Sequence, residues 1–353
     1  MKKKILFFLP SGTGGAERMT ITIAKMLPLD SFDVKFVIVH RSLGTIINFI
    51  PKGYEIMQIP IHNIYCAGTL RLCKMIWKEK PDIVFGSLLY LNARLIIAAK
   101  LCGCKVVVRN NIGLSKVTSK IIPFLVKLTY KWADKVIAQQ EEMHDEILQY
   151  TKISTDKIVT LHNPLDIEYI ELKSKEPSPY KDKGLQIKYV WVGRFNHVKG
   201  QDLLVKAFKH VVEKKQNAHL YLIGSYDPNS IFFKDIMNYI KDNHLEEHVH
   251  IMGFDSNPYR WVKYCDCYVM PSRIEGLPNS LIDAMYLKRP VVATKCIPII
   301  ERIVDDGYNG CLVETENIDS IAKGMVKALQ LKDFKMTYKP ASSDMFVSLF
   351  KNL

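Results

Sequence analysis

Two carboxylates separated by seven residues, Glu275 and Asp283, are the first place to look for chemistry. They stand in the stretch Ser272-Arg273-Ile274-Glu275-Gly276-Leu277-Pro278-Asn279-Ser280-Leu281-Ile282-Asp283-Ala284-Met285. The apolar run 267–270 ahead of it reads as a strand, and from Ser280 onward Leu281, Ala284, Met285 and Leu287 share one helical face. Glu275 is therefore expected at the carboxyl end of a strand, just before a helix, with Asp283 about two turns further on. A helix start offers free backbone N–H groups and the positive end of a dipole, which suits a phosphate. Two acids flanking that phosphate can hold hydroxyls. The pattern reads as a site for a sugar nucleotide, against the blander reading of a surface acid and a solvated Asp.

Such a loop needs a parallel sheet behind it, and the chain has the rhythm of one. Strands are read at 4–9, 34–39, 82–86, 105–109, 134–138 and 157–161, with helices at 16–27, 70–80, 91–101 and 141–150. A second series has strands at 187–192, 219–224, 248–252 and 267–270 and helices at 257–262, 297–304 and 318–329. Alternation of this kind predicts α/β domains with helices on both faces of a parallel sheet. At 353 residues the chain exceeds the size at which a single core keeps growing, so two domains are expected. The Lys-, Glu-, Ser- and Pro-rich stretch 171–185 reads as the linker between residues 1–170 and 186–337. The glycine turn after the first strand is no dinucleotide fingerprint. Glu17 stands where a third Gly belongs, and His40-Arg41 follows the second strand where an acid would hold ribose.

The formal net charge of +13 favours an anionic partner: a membrane surface, a nucleic acid or a phosphorylated substrate. No basic motif interleaved with aromatics supports nucleic acid. Of the eight cysteines, Cys102 and Cys104, and Cys265 and Cys267, are spaced by one residue, wrong for a zinc knuckle. They read as small buried hydrophobes in a reduced, cytoplasmic setting. Residues 1–9 form a short apolar run ending at Pro10, a first strand rather than a signal peptide, and no run is long enough to span a bilayer.

The Glu275 stretch resembles the donor-site signature of the retaining glycosyltransferases of family 4. Their pattern is Glu, seven residues, Glu in a Ser-x-x-Glu-Gly-x-Pro context, followed by Glu-Ala-Met and a Pro-Val-Val strand. This chain matches with Glu275-Gly276-Leu277-Pro278, Asp283-Ala284-Met285 and Pro290-Val291-Val292, and departs in having Asp283 for the second Glu. The resemblance implies the GT-B fold, two Rossmann-like α/β/α domains facing each other across a cleft, with residues 338–353 packing back on the first domain. Gly193-Arg194-Phe195-Asn196-His197-Val198-Lys199-Gly200 resembles the family's Gly-Arg-x-x-x-x-Lys-Gly segment, so Arg194 and Lys199 are expected on the donor pyrophosphate. Glu275 is then expected to hold donor-sugar hydroxyls by positioning and electrostatics. Gly193, Gly224, Gly276, Leu277, Pro278 and Asn279 line the donor site, Met252 and Phe254 bracket the base, and Asp283 binds ribose. On the acceptor side the resemblance points to Gly14, Gly15 and Asn163, while Ser87, Arg109 and Asn110 follow strand ends where ligands meet open sheets. The family's His near Arg109 is absent, which leaves Arg109 as a candidate for an acceptor pyrophosphate or a surface salt bridge.

Between the fourth and fifth of these strands, Lys116, Lys120, Lys127 and Lys131 fall on one narrow arc at about 100° per residue. Ile121, Phe124, Leu125, Leu128 and Trp132 form an adjacent apolar band, with Pro123 starting or kinking the helix. A basic stripe beside such bulk is how helices lie on anionic lipid. The alternative is a core helix with lysines in water. The expected activity is metal-independent, cofactor-free transfer of a hexose or N-acetylhexosamine, with retention, from a UDP-sugar to a glycan acceptor. The acceptor is expected to be polyprenyl-pyrophosphate-linked, in bacterial surface polysaccharide synthesis on the inner face of the plasma membrane. A catalytically weak partner subunit and a sugar-nucleotide epimerase of the same fold are the alternatives. The oligomeric state is not readable.

Overall fold

A computed structural model describes residues 2–12, 14–60, 67–181, 186–332 and 335–353. The chain divides into two compact units, Met1–Leu165 with Lys339–Leu353, and Asp166–Tyr338. In chain order the first contains Lys3–Leu9 (β1), Gly15–Lys25 (α1), Phe32–Ile38 (β2), Glu55–Gln58 (β3), Ala67–Glu79 (α2) and Ile83–Gly86 (β4). Leu89–Leu101 (α3), Lys105–Arg109 (β5), Ile121–Thr129 (α4), Lys135–Ala138 (β6), Glu141–Tyr150 (α5) and Ile158–Thr160 (β7) follow. The strands form one parallel sheet in the order β3-β2-β1-β4-β5-β6-β7.

The period of two along β1 sorts this unit's core. Ile5, Phe7 and Leu9 face the cluster that includes Met19 and Ile23 of α1, and Leu6 and Phe8 face the cluster built from α2, α3, α4 and α5. Both sets are apolar because both sheet faces are covered. In register, Phe7 stands opposite Phe36 on β2 and Phe85 on β4, and its ring lies 6.0 and 4.9 Å from theirs.

The second unit opens with Ile167–Ser174 (α6), Ile187–Val192 (β8), Gln201–Lys214 (α7), Ala218–Ile223 (β9), Ile231–Asp242 (α8), Val249–Gly253 (β10) and Pro258–Lys263 (α9). Cys267–Met270 (β11), Asn279–Tyr286 (α10), Val291–Thr294 (β12), Pro298–Ile303 (α11), Gly310–Val313 (β13) and Ile318–Ala328 (α12) complete it. Its sheet is parallel in the order β10-β9-β8-β11-β12-β13. Ser343–Lys351 (α13) returns to the first unit, where Phe346 and Phe350 are buried against the β1 core.

Four elements depart from the sequence reading. The division between units falls after Leu165, and residues 167–174, partly assigned to the linker, form α6. Asp166 caps that helix, its carboxylate accepting from the Tyr169 N–H at 3.3 Å, and Asn257 Nδ2 donates to the Lys173 carbonyl at 2.9 Å. A charged composition concealed a docked helix. The amphipathic α8, with Ser230 at its N-cap, the mostly exposed edge strand β3 and the short strand β13 were not anticipated either.

Candidate active site

The site is built where adjacent strands of the second sheet end. After β8 the chain runs through Gly193 and Arg194 to a single 3-10 turn, His197–Lys199, and into α7. Asn196 caps the turn through its side-chain oxygen, 3.1 Å from the Lys199 N–H. Gly200 closes it at φ +72°, and a Cβ there would stand 2.1 Å from the Pro271 carbonyl oxygen. Only glycine meets both conditions. Gln201, fully buried, donates from Nε2 to the Arg194 carbonyl at 2.9 Å and pins the loop from below.

The neighbouring strand β11 delivers the second half. Ser272 through Pro278 follow it, and the Arg273 N–H bonds the Val198 carbonyl at 2.8 Å, so the two loops are laced together. Lys199 Nζ lies 2.8 Å from both carboxylate oxygens of Glu275, and Ser272 Oγ donates to Glu275 Oε1 at 2.7 Å. The Glu275 side chain is 8% exposed and that of Lys199 31%, so the carboxylate is enclosed and the ammonium is the group that meets solvent. Thr294, at the end of β12, donates to the Ser272 carbonyl at 2.5 Å. Seventy-six positions separate Lys199 from Glu275 in the chain. The fold brings together two of the three residues expected to do the chemistry.

Arg273, unassigned in the sequence reading, holds this arrangement. Its guanidinium makes two bonds of 2.8 Å to Asp202 on α7, one of 2.7 Å to Glu316 and one of 2.6 Å to the His197 carbonyl. Burial pushes the Asp202 carboxyl up, but the Arg273 hydrogen bonds and charge outweigh it and hold the group below the ordinary carboxylate range. The same bonds, with Asp202 the largest contributor, raise Arg273 further. Arg194 is exposed, with no side-chain partner among the described residues.

Gly276 is half-buried at the turn, Leu277 and Pro278 are buried and anchor the loop, and Asn279 opens α10. Asp283 lies on that helix, and with Glu275 it raises the buried Tyr268 phenol, after burial itself, the largest cause. Both carboxylates thus act on one hydroxyl, which donates to Ser280 Oγ at 2.7 Å. The Cys296 thiol, pushed up to about 11 by burial and then by Glu275, is a further neighbour that the sequence did not flag. At the ends of β8, β9 and β10, the Gly224 N–H bonds the Gly253 carbonyl at 2.8 Å, and a Cβ on Gly224 would stand 1.5 Å from the Gly193 carbonyl oxygen. Backbone approach there requires glycine at 224. Met252 and Phe254, beside Gly253, are exposed.

The first unit corrects the acceptor-side expectation. Ser87, Arg109, Asn110 and Asn163 are all buried, Arg109 to 1% exposure. Arg109 donates to Ser87 Oγ at 3.0 Å and to Asn163 Oδ1, so its donors serve an internal network rather than a surface anion site or a surface salt bridge. Asn92 Nδ2 bonds the Arg109 carbonyl and the Tyr130 hydroxyl, each at 3.1 Å, and Tyr130 donates to Asn110 Oδ1 at 2.7 Å. Gly14 is the N-cap of α1 at φ −81°, and neither it nor Gly15 has the positive φ that would by itself demand glycine. Lys116, Lys120, Lys127 and Lys131 are exposed, and Pro123 sits in the first turn of α4. On the same helix Ile121, Phe124, Leu128 and the following Trp132 are exposed, while Val126, Thr129 and Tyr130 face the core. The apolar band is not the core face.

Two parallel-sheet α/β units, with a Lys–Glu pair where strands of the second end, define the GT-B class of sugar-transferring folds. The chain belongs to the glycosyltransferases: residues 13–169 match the family described as Glycosyltransferase Family 4, and residues 173–343 match Glycosyl transferases group 1. Among its relatives is the N-acetylgalactosamine-N,N'-diacetylbacillosaminyl-diphospho-undecaprenol 4-alpha-N-acetylgalactosaminyltransferase of Campylobacter jejuni, 25% identical across 96% of this chain and 93% of that protein. Another is the UDP-Gal:alpha-D-GlcNAc-diphosphoundecaprenol alpha-1,3-galactosyltransferase of Escherichia coli, 23% identical across 89% of this chain and 84% of that one. In fold the chain is similar to Anabaena HepE, solved with UDP and glucose, at a TM-score of 0.80 and 18% identity over 99% and 98% of the two chains.

Proposed function

We propose that this glycosyltransferase moves a hexose or N-acetylhexosamine from a UDP-sugar, with retention and without a metal ion, to a polyprenyl-pyrophosphate-linked glycan at the inner face of the plasma membrane. The observation that carries the reading is the Lys199–Glu275 pair, an enclosed carboxylate beneath a cation open to solvent. Breaking the bond between the sugar and the diphosphate leaves a nucleoside diphosphate whose bridging oxygen gains charge. Lys199, the exposed Arg194 and the N–H groups at the start of α10 are fixed positive ends that stabilise that charge more than the ground state. Each is worth about 3 kcal/mol by comparison with other oxyanion sites. As Lys199 turns toward phosphate, Glu275 gains an open acceptor for donor-sugar hydroxyls. Asp283 serves the ribose, and the segment carrying the exposed Met252 and Phe254 the base. Two relatives whose names specify diphospho-undecaprenol-linked substrates, one of them a UDP-sugar user, support the donor and acceptor classes.

The test is mass spectrometry after incubation with a panel of UDP-sugars and a polyprenyl-pyrophosphate-linked sugar. An acceptor heavier by one hexose or N-acetylhexosamine is the expected product. An isomerised free sugar nucleotide would identify an epimerase, and no product from any pairing would point to a partner subunit.

A further inference from the structure

Helices α2, α3 and α4 lie side by side on one face of the first sheet, their inner residues Leu72, Ile76, Leu95, Ile96 and Val126 sharing a single core. Their outer side is unusual in two independent ways. From Ile83 to Ala133 the chain has no Asp or Glu at all. The one carboxylate in the three helices, Glu79, is taken up by Lys4 at 2.7 Å and Lys35 at 3.7 Å. The layer is therefore basic on its outer side, with Lys74 and Lys78 exposed on α2 as well as the lysines about α4.

The second feature is apolar exposure on α2. Leu70 is 75% exposed and Trp77 72%, seven positions apart and hence nearly in line along the helix. At the end of α3, Leu101 is 73% exposed. Trp77 in the last turn of α2, Leu101 at the end of α3 and Trp132 just past α4 all come shortly before the next strand begins, so they stand toward the same end of the layer. Large apolar side chains this open are normally scattered and of no consequence. Here they recur on neighbouring helices, beside lysines, and the acids at that end are engaged: Asp134 accepts from Lys100 at 2.5 Å and Asp82 from the Lys4 N–H at 2.7 Å. Tryptophan and lysine together are the residues that settle at a membrane–water interface, the ring at headgroup level and the ammonium on lipid phosphate.

We propose that the first unit rests on an anionic bilayer through two helices, with Leu70, Lys74, Trp77 and Lys78 of α2 forming a second contact beside the α4 stripe. The inference rests on the lipid-surface part of the proposed function and specifies the footprint. Two contacts on one layer, with α3 between them, fix the orientation of the domain on the membrane, which a single helix leaves free to roll about its axis.

The experiment is co-sedimentation of the full chain with vesicles of phosphatidylcholine and phosphatidylglycerol, and with phosphatidylcholine alone. Variants are L70S/W77S and K74E/K78E on α2, with F124S/W132S on α4 for comparison. Because the α2 side chains are exposed, thermal melting and transfer to a water-soluble acceptor are expected to stay at wild-type levels. Each α2 double variant is expected to bind the mixed vesicles about tenfold more weakly or worse. If only the α4 variant loses binding, the two-helix footprint is wrong while lipid contact through α4 stands. Equal binding of wild type to both vesicle types overturns the anionic partner. A wild-type dimer that L70S/W77S converts to monomer, with vesicle binding unchanged, assigns the α2 face to a second copy of this chain and overturns the proposal.

Discussion

At the scale of single residues, the decisive contact is the one the sequence could not show. Glu275 was legible from its place between an apolar run and a helix, and Lys199 from the glycines around it, but their pairing is a product of β8 and β11 being neighbours in the sheet. Arg109 misled for the converse reason. An arginine at a strand end looks like a surface group, and nothing local announces that Ser87 and Asn163, from two other segments, will enclose it. Lys199→Ala and Glu275→Ala are each expected to lower kcat/KM at least about a hundredfold, the loss typical of one oxyanion donor or one orienting group. Circular dichroism should show the fold intact, with Lys199→Ala melting below wild type because it leaves the enclosed Glu275 carboxylate without its cation. Near-wild-type turnover by either variant removes the pair from the site. Asp283→Ala is expected to behave differently. A group holding ribose binds ground state and transition state alike, so the donor KM should rise about tenfold with kcat little changed. A fall in kcat at constant KM would place Asp283 at the reacting bonds instead.

At the scale of elements, the alternation of strands and helices was readable because each buried strand is a continuous apolar run and each long helix has one apolar face. What was missed lacked that contrast. β3 is an edge strand with mostly exposed residues, and α6 buries little beyond Ile170 and Ser174. The lacing of the two active-site loops belongs to this scale as well, since Arg273 joins the β11 loop to α7 through Asp202 and to Glu316. Asp202 has a folded-state pKa below its unfolded one, near 3.9. Its ionised form is therefore favoured by folding, and the stability it contributes is present above that unfolded value and lost as pH falls through the folded one. Asp202→Asn should accordingly melt below wild type at pH 7, with the gap closing as pH drops below about 4. Thermal melts across that range decide it: a gap that persists unchanged into acid would mean that the Asp202 charge is not what holds the loop.

At the scale of the whole molecule, length alone announced two domains, while the return of residues 338–353 was expected only from the family resemblance; the last fifteen residues, Lys339–Leu353, belong to the first unit. That return is anchored by aromatic burial. Phe350 is fully buried, its ring 6.0 Å from those of both Phe7 and Phe85, and Phe346 is buried beside it. Lys3 Nζ donates to the Lys351 carbonyl at 2.6 Å and Ser343 Oγ to the Met26 carbonyl at 2.8 Å, tying both ends of α13 to the sheet and α1 side. The terminal helix, with Ala341 just ahead of it, thus completes a core whose other buried members all lie before residue 166. Removing the Phe350 ring should leave a cavity and destabilise that core by about 3 to 5 kcal/mol, the usual range for a buried Phe→Ala change. The second unit has its own core and shares none of these contacts. Hydrogen exchange on Phe350→Ala is therefore expected to show faster exchange of the amides of β1, β2 and β4, with those of β8, β9, β11 and β12 protected as in wild type. If protection falls equally in both sheets, the units unfold as one cooperative body, and the C-terminal helix stabilises the entire chain rather than the domain it caps.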